Sequence, residues 1–99
     1  MITISTVVYP PESAKEMTKR FSEMAPIPDF VEVQGPYLIP ELEDGINAIT
    51  IYKYDRARAS EANEAIGNGH MAFYGIPGYR YSLKLAAGGA TALKMMGME

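Results

Sequence analysis

One histidine and seven tyrosines hold most of the chemistry this chain could do. His70 lies four residues after Ile66 and three before Phe73, so on a helix it shares their apolar stripe. An imidazole held between helix and sheet is a candidate catalytic base. A hydrogen-bonded structural histidine is the competing reading, and Gly67 and Gly69 leave the direction of the ring open. Tyr9, Tyr52, Tyr54, Tyr79 and Tyr81 fall on or beside predicted strands. Tyrosine pairs a large apolar ring with a polar tip, which suits a cavity that orients a phenolic or quinone-like ligand. The same burial would serve tyrosines that only fill a core between subunits.

Other patterns carry less. Arg80 and Lys84 alternate with Tyr79 and Tyr81 and could grip an anion, although strand charges are usually solvated. Gly88-Gly89 before Ala90 could nest a phosphate, but no basic residue stands in that turn. Gly67-Asn68-Gly69 is not a dinucleotide fingerprint. Glu41, Glu43 and Asp44 lack the spacing of a calcium loop. The absence of cysteine removes disulfides, thiolate nucleophiles and Cys-based metal sites. No metal and no cofactor are expected.

A net charge of −3 with scattered basic residues argues against nucleic acid as a partner. No apolar run approaches the roughly 18 residues that suggest a membrane span. The opening "MITISTVVYPP" has neither the charged nor the apolar part of a leader. A soluble, cytoplasmic protein is the expectation.

The elements that must position these residues follow from periodicity. Residues 2–9 alternate, with Ile2, Ile4, Thr6 and Val8 on one face and Thr3, Ser5, Val7 and Tyr9 on the other. Pro10 and Pro11 end that strand. A helix follows, opened by a Ser13/Glu16 capping box or by Pro11 at its first position. Its stripe is Ala14, Met17, Phe21 and Met24, and Pro26 and Pro28 stop it. "DFVEVQGPYLI" reads as a second strand, in which Gly35-Pro36 marks a bulge or an edge. "PELEDG" reads as an acidic turn, and residues 46–54 as a third strand. Asp55 caps a second helix with the stripe Ala59, Ala62, Ile66, His70 and Phe73, and Gly75 ends it. "GIPG" then turns the chain into a strand, "YRYSLKL", and a short terminal helix follows Gly88-Gly89.

The order β-α-β-β-α-β over residues 1–99 predicts a single α+β domain of the ferredoxin-like kind, a four-stranded antiparallel sheet with both helices on one face. Packing of Met17, Phe21 and Ile66 on Ile4 would make the core. The opposite face would then carry tyrosines and aliphatic residues, too apolar to leave wet, and a homodimer packed sheet to sheet is expected.

Those features, with the run "IPGYRYSLKL" before "ALKMMGM", resemble the dimeric α+β barrel superfamily. The resemblance is architectural and spans essentially the whole chain. It implies two copies forming a barrel, in a group that includes cofactor-independent monooxygenases, lactone isomerases and haem-dependent members. A haem ligand would have to be His70. The reading this favours is a small homodimer that binds a small, partly aromatic molecule in a barrel cavity. The alternatives are a cofactor-independent monooxygenase or isomerase, and a non-catalytic oligomerisation module.

Overall fold

A computed structural model describes residues 1–41 and 45–97. The elements are β1 (Ile2–Tyr9), α1 (Ala14–Glu23), β2 (Glu32–Glu41), β3 (Gly45–Lys53), α2 (Ala59–His70), β4 (Arg80–Ala86) and α3 (Gly89–Met95). The expected α+β order is therefore present. Residues 42–44, the centre of the expected acidic turn with Glu43 and Asp44, lie outside the described residues.

The strands form one antiparallel sheet in the order β2-β3-β1-β4. β1 and β2 run parallel with β3 between them, and β3 and β4 run parallel with β1 between them. Helices α1 and α2 each join one of these separated pairs. β1 is thus a central strand with both edges bonded, and Ser5 stands opposite Thr50 on one side and Leu83 on the other. The expected irregularity in β2 is a bulge between Gln34 and Tyr37, on an edge strand.

Local chemistry decides where the helices start. Asp55 accepts a hydrogen bond from the Ala57 amide at 3.1 Å and caps the 3-10 turn that leads into α2. The expected Ser13 cap does not form. Proline wins instead, because Pro11 at the first position of a 3-10 turn has no amide to satisfy. Ser13 Oγ donates to the Pro77 carbonyl at 2.7 Å, tying the start of α1 to the turn before β4. That turn is the GIPG stretch. Gly75 has a left-handed φ of +88°, and the Tyr79 amide bonds the Ile76 carbonyl at 3.1 Å across Pro77-Gly78. Gly78, at φ +77°, supplies the positive angle a type II turn requires.

The faces of β1 are the reverse of those expected from its alternation. Both helices cover Thr3, Ser5, Val7 and Tyr9, all buried, while Ile2, Ile4, Thr6 and Val8 look out from the other side. Isoleucine is the more apolar choice, so composition favours the wrong face. What decides the packing is α2, whose inward stripe includes Asn63 and His70 beside Ala62 and Ile66. Those polar groups need partners once buried, and Thr3 and Ser5 offer small hydroxyls at the right rise. Met17 and Ile66 are buried as expected, but Phe21 is 54% exposed and does not pack on Ile4.

The core has two apolar clusters. One gathers Val7, Tyr9, Met17, Phe73 and Ile76, the other Val31, Tyr52, Tyr54, Ala62 and Ile66. Along β1 and β3, the hydroxyls of Thr3, Ser5 and Thr50 stand where one cluster gives way to the other. Among the described residues no helix is long and apolar enough to cross a membrane.

Candidate functional site

A cavity of about 180 Å³ opens between α1 and the sheet, on the helix-covered face. Ser5, Val7 and Tyr9 of β1 and Ala48, Thr50 and Tyr52 of β3 line its floor. Met17, Phe21, Met24 and Phe73 wall it, and His70 closes one end. A second lobe of about 210 Å³ shares Phe21, Met24, Pro36, Thr50 and Tyr52 with it and continues beneath the end of α1. Phe21 is half out of the core because it forms the rim of both lobes.

His70 is 4% exposed and held at both nitrogens. Nδ1 lies 2.8 Å from the Ile66 carbonyl, one helical turn back, and Nε2 lies 2.6 Å from Ser5 Oγ. A carbonyl oxygen can only accept, so Nδ1 carries the proton. In the neutral ring Nε2 is then a bare acceptor, and Ser5 donates its hydroxyl to it. Burial lowers the His70 pKa below the ordinary 6.5, against the raising effect of the Ile66 bond, so the ring is neutral at physiological pH. This arrangement can take up a proton at Nε2, through Ser5.

The depressed value has a consequence for stability. The unfolded chain binds the proton near pH 6.5 and the folded chain only at lower pH. Stability is therefore complete above about pH 6.5 and falls as the pH drops below it, until the folded ring itself protonates. Urea midpoints should decrease between about pH 7.5 and about pH 5.5, and His70→Gln should flatten that part of the profile.

The structure brings together only some of the expected tyrosines. Tyr9 and Tyr52 line the cavity, and burial raises both phenol pKa values, a Thr50 hydrogen bond partly offsetting this at Tyr52. Tyr54 stands apart in a closed ring of hydrogen bonds. Its hydroxyl donates to Thr3 Oγ1 at 2.7 Å, Thr3 donates to Asn63 Oδ1 at 2.6 Å, and Asn63 Nδ2 returns to the Tyr54 oxygen at 2.9 Å. Each polar atom there is matched within the protein, so Tyr54 has a structural role. Tyr79 and Tyr81 lie behind His70 on the β4 side. The Tyr81 ring is 5.2 Å from the imidazole and 5.6 Å from Tyr79, and the Tyr79 hydroxyl donates to the His70 carbonyl at 3.2 Å. Burial, then the neighbouring Tyr81 and Tyr52 phenols, push the Tyr79 pKa far up, so it keeps its proton. These five tyrosines therefore sit on the helix side of the sheet and not on the outer face expected from the alternation.

Ser5 and Thr50 are the site residues that sequence reading missed. The signal was present in the alternation itself, where Thr3 and Ser5 share a strand face with Val7 and Tyr9. A run of small hydroxyls on a face that also carries large apolar residues marks a place where a polar helix group comes close.

No Asp, Glu, Lys or Arg among the described residues lines the cavity. Among those residues no three of His, Asp and Glu are grouped closely enough to hold a metal ion. The site is a neutral, apolar pocket with a hydroxyl–imidazole pair at one end. No protein-family model matches this chain, and no curated protein matches it.

Proposed function

We propose that this protein binds a small, partly aromatic molecule in the cavity between α1 and the sheet. The observation that carries the reading is the coincidence of size and lining. A dry apolar cavity of about 150 Å³ accepts one benzene ring, and this cavity, of about 180 Å³, adds hydroxyls at its floor. One ring fits the first lobe, and a substituent can extend into the second. An uncharged lining favours a neutral ligand, because an ion would lose its hydration without gaining a partner. Toluene titrated into labelled protein should shift the amide resonances of Val7, Ala48 and Thr50. Ala48→Phe, which fills the floor, should abolish those shifts. Shifts spread over the surface, or none, would contradict the reading.

A second reading is favoured by one contact, the Ser5–His70 bond at 2.6 Å. A neutral histidine reached through a serine hydroxyl can accept a proton from a bound ring, as a cofactor-independent oxygenase or isomerase would need. The strand amides around Ser5 are spent in the sheet and leave no oxyanion donors, so acyl transfer at Ser5 has no support.

The outer face of the sheet supports a homodimer. Ile2, Ile4 and Val8 of β1 adjoin Ile49 and Ile51 of β3, with Tyr37 and Ile39 of β2 beyond them. The edges of that face differ in charge, Glu32 and Glu41 on β2 against Arg80 and Lys84 on β4. A two-fold axis along the strands lays one copy's β2 over the other's β4, acidic edge on basic edge. The ferredoxin-like domain is part of this proposal, and the order β2-β3-β1-β4, which interleaves two β-α-β units, supports it. Equilibrium sedimentation at micromolar concentration should give twice the 10.9 kDa chain mass, and a monomer would end the dimer proposal. If the dimer forms but no ring binds, the chain is the oligomerisation module considered from its sequence.

A further inference from the structure

We infer that Ser5 selects ligands that present a hydrogen-bond donor, an O–H or N–H on the ring, over isosteres that present only an acceptor. This rests on the small-molecule reading of the cavity and adds a chemical class to it.

The direction of one proton chain carries the inference. The Ile66 carbonyl fixes the His70 proton on Nδ1, the bare Nε2 takes the Ser5 proton, and Ser5 is left with lone pairs only. Ser5 Oγ makes no other hydrogen bond among the described residues; Ser5 lies at the cavity floor, 1% exposed, so a ligand group that reaches down to it meets lone pairs only. Reversing the serine would place its hydrogen in the cavity and leave two lone pairs, on Oγ and Nε2, facing each other at 2.6 Å. The helix thus fixes the polarity of a group on the strand. A phenolic O–H completes the chain by donating to Ser5. A carbonyl at the same place would set one acceptor against another, an unpaired and desolvated contact.

The Thr50 and Tyr52 hydroxyls reach the same cavity; neither can bond toluene, and whatever they offer phenol or benzaldehyde is unchanged in a Ser5 variant. The discriminating measurement is therefore a comparison of three rings of similar size on two proteins. Phenol, toluene and benzaldehyde are titrated into the full chain and into Ser5→Ala near neutral pH, with affinities read from amide shifts. Phenol should bind the unmodified protein about tenfold more tightly than toluene, the scale of one neutral hydrogen bond, and benzaldehyde should gain nothing over toluene. In Ser5→Ala the advantage of phenol should vanish while toluene still binds, which also shows that the variant is folded. The inference is overturned if benzaldehyde matches phenol, or if the phenol advantage survives in Ser5→Ala. It is also overturned if phenol and toluene bind the unmodified protein equally. If none of the three rings binds either protein, the cavity reading itself falls and takes this inference with it.

Discussion

Ile66→Ala is expected to remove about 2–5 kcal/mol of folding stability, a large share of what a domain this size possesses. Ile66 is fully buried in the cluster with Val31, Tyr52, Tyr54 and Ala62, beneath the same helix that carries Asn63 and His70. Truncation leaves a void that the sheet cannot close, because Thr3 and Ser5 are held by the neighbouring polar groups of α2. Phe21→Ala is the instructive contrast. Its ring is 54% exposed at the cavity rim, so the loss should stay below about 1 kcal/mol while ring binding weakens. Urea unfolding of the two variants decides the matter. Equal losses would show that the buried stripe of the helices has been misplaced.

Gly78→Val should be nearly as damaging, at about 2–5 kcal/mol, for two separate reasons. A β-branched side chain is strained at φ +77°, and its Cβ would approach Pro10 Cδ to 2.6 Å. Pro10 is where β1 hands over to α1, a rigid ring with no rotamer to yield. The turn before β4 and the start of α1 are also joined by the Ser13–Pro77 bond, so displacing one displaces the other. Thermal unfolding read beside Gly75→Val separates the contributions. Gly75 shares the positive φ, at +88°, but has open space where a Cβ would point. The two variants should differ by the cost of the Pro10 contact, and equal losses would leave backbone strain as the whole effect.

Element order was legible because it depends on local chemistry. Prolines at 10, 11, 26 and 28, the Asp55 cap and the GIPG turn each act within a few residues, and each lies where periodicity suggests. The assignment of faces was not legible in the same way. Both faces of β1 are rich in β-branched residues, so alternation shows that two faces exist but not which one meets the helices. That choice is non-local, set by pairing Thr3 with Asn63 and Ser5 with His70 across 60 and 65 residues of sequence. His70 was found because it fell on the apolar stripe of α2, and Ser5 was overlooked because its partner could be named only once α2 was laid on the sheet. Of the five candidate tyrosines, Tyr9 and Tyr52 reach the cavity, Tyr79 and Tyr81 pack behind its His70 end, and Tyr54 stands apart with Thr3 and Asn63.

The central claim is that the cavity between α1 and the sheet holds a single aromatic ring. A crystal structure grown with 4-bromophenol tests it most directly, because anomalous scattering from bromine locates the ligand without reference to the protein. The ring is predicted to lie among Val7, Met17, Ala48 and Phe73, with its oxygen within hydrogen-bond distance of Ser5 Oγ and its bromine toward the lobe beneath Met24 and Pro36. Bromine found only on the outer sheet face, or an empty cavity at saturating ligand, would contradict the account.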